Sequence, residues 1–321
     1  MKKYAVKMVT GLAAGLVLGS GVVTAPATAA TKPTLAFVTN GASDFWKAAA
    51  AGVAAAQKEL PGFKLELEYP AQATVASQQT LMDNLAAAGV KAIMASAVDP
   101  KATTVLNKIA GETDFFTTDS DAPQSNRIAY IGSSNVLAGE QMAKIAKQAM
   151  PKGGKCMGFV GLLDAANYTE REQGFVNGIK GSGITLVDTR SDGMDQTRAK
   201  SNVADVLTAN PSITCLVGFY SYNVPEIYAA VKEAGELGKI TILGTDDDPV
   251  TLGGIKQGTI AGTVVQQPYQ WAYQGMKLMA AYVKGDKSGI PADKKIIIPT
   301  KIVTKANVDA YEAGLKTMQG K

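Results

Sequence analysis

The 321-residue chain contains no histidine, only two cysteines (Cys156 and Cys215) and, after residue 30, no apolar run long enough to cross a bilayer. The missing histidine removes the commonest general base and metal ligand, and two distant cysteines make no metal-binding spacing, so neither a metal nor a cofactor is expected. No glycine loop ending in Lys-Ser/Thr and no Gly-x-Ser-x-Gly elbow is present. Carboxylates alone can hydrolyse a glycoside, but nothing marks one of them as the proton donor, and no enzyme is expected. Blocks of like charge are absent too. The 32 basic and 28 acidic residues are interspersed, which argues against a surface that follows a nucleic-acid backbone.

The amino terminus reads differently from the rest. Lys2, Lys3 and Lys7, with no acid among them, precede an apolar run from Met8 to Val23, which is shorter than the roughly 20 residues a membrane span needs. The run ends in Ala25-Pro26-Ala27-Thr28-Ala29-Ala30, whose small residues suit a signal peptidase, so residues 1–29 are expected to be a cleaved signal peptide and the mature protein periplasmic. A lipoprotein would need a cysteine at the cleavage point, and there is none. In an oxidising compartment Cys156 and Cys215 either pair or remain buried thiols, and the sequence leaves both open.

From Pro33 onward, short β-branched or apolar runs alternate with longer Ala-rich amphipathic stretches, the pattern of parallel sheets covered by helices. Five strands are expected between Thr34 and Gly132 and five more between Lys155 and Val265, each followed by a helix or a connecting loop. Two further strands are expected at Lys295–Ile298 and Thr300–Thr304. Two successive series mean two doubly wound α/β lobes, one of residues 31–133 with 267–298 and one of residues 134–266 with 299–321. Three chain segments then cross between them, and such a connection behaves as a hinge that a ligand closes.

In open parallel sheets ligands sit beyond the carboxyl ends of the strands. Past the first strand stand Asn40, Phe45 and Trp46; adjacent aromatics suit the apolar face of a pyranose, and one of the pair is expected to pack the helix instead. The fourth strand ends at Asp119 and Asp121, with no cation close by in the local sequence, and a carboxylate there can accept two hydroxyls at once. Asn167 and Arg171 are four apart, on one helix face, where an amide and a guanidinium supply directional donors. Tyr220 and Tyr222, Asp246 and Gln266 follow three strands of the second series. Polar or aromatic groups thus recur at strand ends in both halves.

These stretches, with Gly132-Ser133-Ser134-Asn135 and Thr263-Val264-Val265-Gln266-Gln267-Pro268, resemble the ribose/galactose-type periplasmic binding proteins of ABC importers, related to the core of LacI-type repressors. The resemblance implies a non-enzymatic, monomeric receptor that closes on a sugar and docks on a membrane permease, or presents the sugar to a chemoreceptor or histidine kinase. It implies that Asp119 and Asp246 accept sugar hydroxyls, that Arg171 and Asn167 donate, that Gln266 sits at the hinge and that Phe45 or Trp46 stacks on the ring. Two departures stand out: Ser120 where many relatives have arginine, and Tyr220-Ser221-Tyr222-Asn223 where they have an Asn-Asp pair. With an arginine lost and the acids kept, the pocket is expected to be more acidic and to tolerate an amino sugar or a polyol.

Overall fold

A computed structural model of the chain describes residues 32–318; the leader lies outside the described residues. The first sheet is built from β1 (Thr34–Val38), β2 (Lys64–Glu68), β3 (Ala92–Ala95), β4 (Asp114–Thr118) and β5 (Tyr130–Gly132), with α1 (Trp46–Glu59), α2 (Val75–Ala87) and α3 (Thr103–Glu112) between them. After α4 (Asn135–Ala149) the second sheet follows with β6 (Gly154–Val160), β7 (Ile184–Ser191), β8 (Cys215–Gly218), β9 (Thr241–Thr245) and β10 (Gly262–Val265). Its helices are α5 (Ala166–Ile179), α6 (Gln196–Ala209), α7 (Asn223–Glu233) and α8 (Pro249–Gln257). Then come α9 (Pro268–Val283), β11 (Lys295–Ile297), β12 (Lys301–Val303) and α10 (Val308–Met318).

The strand orders are β11-β5-β4-β3-β1-β2 and β12-β10-β9-β8-β6-β7, parallel throughout except for β12, which runs antiparallel to β10. The chain passes between the sheets three times: after β5, between β10 and α9, and between β11 and β12. These segments are tied together. Ser133 Oγ donates to the Ile298 carbonyl at 3.2 Å, and Gln267 Nε2 to the Pro299 carbonyl at 2.6 Å.

Local chemistry explains where the elements start. Ser134, Asp195 and Asp248 each accept a backbone N–H of the first turn of α4, α6 and α8, satisfying groups that a helix leaves unpaired. Alternation on the strands fills both faces of each sheet: Leu35 and Phe37 meet one apolar cluster, Ala36 and Val38 another, while Cys156 and Val160 divide from Met157 and Phe159 in the same way. Helices α4 and α5 approach so closely that a Cβ on Gly139 would collide with the backbone of Arg171 and Phe175.

Cys156 and Cys215 stand opposite each other in the register of β6 and β8 and form a disulfide, which resolves the alternative the sequence left open. They are 59 residues apart in sequence, and in the chain-entropy view a loop of that length contributes about 4 kcal/mol, with engineered and native cases nearer 2–4. The double variant Cys156→Ala/Cys215→Ala should therefore lower the urea midpoint clearly. Its ligand affinity should not change, because both cysteines lie at the amino ends of their strands, away from the carboxyl-end loops. A variant as stable as the parent would show that the bridge adds nothing.

Candidate functional site

The carboxyl ends of the two sheets face a common cavity. Two aspartates anchor it at equivalent places. Asp119 follows β4 and Asp246 follows β9, the fourth strand of each sheet, and both take left-handed backbone angles (φ 52° and 68°) that aspartate tolerates better than most residues. The Asp119 carboxylate accepts Ser96 Oγ at 2.7 Å and Asn167 Nδ2 at 3.0 Å; that of Asp246 accepts the Gln266 backbone N–H at 3.1 Å and its Nε2 at 3.2 Å.

Between the aspartates lies Arg171, 1% exposed on α5. Its Nη1 donates to the Phe219 carbonyl and its Nη2 to Asn135 Oδ1 at 2.8 Å and Gln266 Oε1 at 3.0 Å. Its Nε is buried with no hydrogen-bond partner in the protein. Tyr220 donates its hydroxyl to Asn167 Oδ1 at 3.0 Å, fixing the amide so that Nδ2 faces Asp119. Several bonds run directly from one sheet's loops to the other's, including Asn167 to Asp119 and the Ala166 N–H to Ser120 Oγ at 3.1 Å. The structure is therefore in a closed arrangement. Ser120, standing where the resemblance expects arginine, caps the amino end of α5 across the cleft.

Of the residues singled out in the sequence, Asn40, Phe45, Trp46, Asp119, Asn167, Arg171, Tyr220, Tyr222, Asp246 and Gln266 line this cavity together. Asp121 does not. An arginine six residues on, Arg127, grips it with Nε at 2.5 Å and Nη2 at 2.7 Å, so the expectation of no nearby cation is corrected and Asp121 has its charge balanced within the protein. Trp46 is 1% exposed and packs edge-on against Phe37 in the core, whereas the neighbouring Phe45 is only half-buried. Phe45 is thus the aromatic free to meet a ring. Ser43, Ser221 and Met194 also line the cavity. The two serines sit in strand-end segments already singled out; Met194 follows β7, whose end went unread.

Burial pushes the Asp246 carboxyl up from 3.8 to about 7, opposed by Arg171 and the Gln266 donors and reinforced by Asp247; burial likewise raises Asp119, opposed by Ser96, Arg171 and Asn167. Between pH 3.8 and about 7 the folded, ligand-free chain holds a proton on Asp246 that the unfolded chain has lost, so this group's contribution to stability falls as pH rises through that window. A ligand that donates hydroxyls to the carboxylate favours its charged form, with the opposite slope. The melting-temperature rise caused by ligand should grow from about pH 5 to about pH 7 and then level off, a trend that thermal melts with and without ligand can follow. A flat profile in the parent, or an unchanged slope in Asp246→Asn, would count against this assignment.

Residues 35–287 match the family model of the periplasmic binding protein domain. The ribose import binding protein of Salmonella typhimurium is 24% identical over 251 residues, covering 76% of this chain and 83% of that protein. Among solved structures, an ABC transporter solute-binding protein from Burkholderia graminis in complex with D-arabinose superposes with a TM-score of 0.81 at 28% identity, covering 88% of this chain and 98% of the other. A glucose-galactose binding protein from Geobacillus stearothermophilus gives 0.80 at 27%, covering 86% and 99%. Two parallel-sheet lobes around a shared, closed cavity define a bilobal receptor. The chain belongs to the periplasmic binding protein family, a family of binding proteins and not of enzymes.

Proposed function

We propose that the protein is the solute-binding component of an ABC importer, exported through its leader, which captures a monosaccharide by closure about the three crossing segments and delivers it to a membrane permease. In this reading the lobes are residues 31–133 with 267–298 and residues 134–266 with 299–321. The observation that carries it is the cavity itself: carboxylates, amides and one guanidinium from both lobes converge beside a half-buried phenylalanine, the complement of a small ring bearing many hydroxyls. A ribose import binding protein and an ABC transporter solute-binding protein solved in complex with D-arabinose, both similar to this chain, support the sugar and favour a permease over a sensory partner.

Two carboxylates face one guanidinium in the lining, which also suits an amino sugar. The test is a thermal-shift panel of pentoses, hexoses, amino sugars and polyols on the mature protein. It should be accompanied by intrinsic fluorescence, because Trp46 lines the cavity and Trp271, the other tryptophan, packs 5.9 Å from Phe45. A large rise in melting temperature for one sugar class is expected. No shift for any member would overturn the sugar reading, and equal affinity for a neutral sugar and its amino counterpart would sink the acidic-pocket preference.

A further inference from the structure

We propose that Asp192, which does not line the cavity, is a positioning residue for it: its carboxylate holds the Tyr220–Tyr222 turn and Met194 in the arrangement that receives the ligand. Asp192 follows β7 and is 1% exposed. Its Oδ1 accepts the Tyr222 hydroxyl at 2.5 Å and the Met194 N–H at 2.9 Å, and its Oδ2 accepts Asn223 Nδ2 at 2.9 Å. Asn223 Oδ1 in turn accepts the Tyr220 N–H at 3.0 Å. One buried carboxylate thus joins the β7–α6 loop to the β8–α7 turn and supports three residues of the cavity wall.

The arrangement is costly for the fold, which is what points to function. Met194 is held at φ 69°, in the left-handed region that a long side chain enters only under constraint, and the Asp192 bond to its N–H supplies that constraint. The titratable groups that weigh on the carboxylate are Asp195 on its own loop, a like charge, and Tyr220 and Tyr222 on the β8–α7 turn, while the Arg198 guanidinium of α6 lies beside the neighbouring Gly193, 3.4 Å from where a Cβ there would stand. Burial raises the carboxyl to about 6 against the pull of its three donors. What the network yields is placement. The Met194 methyl lies 3.5 Å from where a Cβ on Gly41, after β1 in the opposite lobe, would stand, so this loop forms a lip at the cleft.

The affinity part of the test rests on the sugar reading; the spectroscopic part does not. In the ligand-free mature protein carrying ¹³C-methyl methionine, the Met194 resonance, assigned with Met194→Leu, should move with a midpoint near pH 6 and stay fixed in Asp192→Asn. With D-ribose and D-arabinose as probes, Asp192→Asn should raise the Kd of whichever sugar binds by about 10- to 100-fold, as expected for losing hydrogen bonds to a buried charge. Tyr222→Phe should also raise it, and the double variant should lose no more than the worse single one. If Asp192→Asn does not fold, Tyr222→Phe alone must still displace the Met194 resonance. A Met194 resonance that keeps the parent's position in Asp192→Asn, or an unchanged Kd in that variant, overturns the assignment. If neither sugar binds the parent, that failure belongs to the sugar reading and the resonance decides the role of Asp192.

Discussion

Replacing Arg171 with methionine is expected to abolish measurable ligand binding while leaving a folded protein. The side chain is fully buried and its Nη groups reach three acceptors at once, the Phe219 carbonyl past β8, Asn135 at the start of α4 and Gln266 past β10. Two of those acceptors sit on segments that cross between the lobes, so the guanidinium connects the cavity to the hinge. Truncating a buried, hydrogen-bonded charge costs about 2–5 kcal/mol, or roughly 30- to 5,000-fold in Kd. The loss should fall near the upper end, because Asp119 and Asp246 both draw on the Arg171 charge and would be pushed further toward their neutral forms. Arg171→Lys should recover little: an ammonium cannot reproduce a planar fork that serves three separate acceptors. Calorimetric titration decides it. Binding by the lysine variant within about threefold of the parent would mean that charge alone suffices and the fork geometry is incidental.

Much of this site was legible because the periodicity of a parallel α/β chain announces where each strand ends. Asp119, Asp246 and Gln266 follow directly from that rule, and Asn167 with Arg171 from helical spacing. The division of labour between Phe45 and Trp46 was not legible, since adjacent aromatics point to different sides and which one packs depends on where α1 begins, which is at Trp46. Asp192 was missed for a related reason. As a sequence, Ser191-Asp192-Gly193-Met194 reads as a polar turn, and only the proximity of β7 to β8's loop, two strands away across β6, shows that its carboxylate is buried among donors from α7. The disulfide needed the register of β6 against β8, which no local pattern supplies.

Asp121 stands outside the cavity lining, and it carries the second large expected effect. Beside Asp119 it looks like a second ligand carboxylate; in the fold the β4–β5 connection turns back and delivers Arg127 to it, with both side chains about 95% buried. The carboxylate also accepts Thr117 Oγ1 at 2.6 Å and the Ala122 N–H at 2.7 Å, and Arg127 Nη1 reaches the Lys294 carbonyl at 3.1 Å, just before β11. The pair thereby fastens the returning segment to the first sheet. Arg127→Met should destabilise the protein by about 3–5 kcal/mol, because it strands a buried carboxylate, whereas Asp121→Leu/Arg127→Met should recover most of that loss by removing both charges. Urea denaturation of the single and double variants measures the difference. In every variant that folds, ligand affinity should match the parent, since neither residue lines the cavity. An Arg127→Met variant that loses less than about 1 kcal/mol would show the pair to be no better than a surface bridge. A double variant of parental stability that no longer binds would return Asp121 to the ligand.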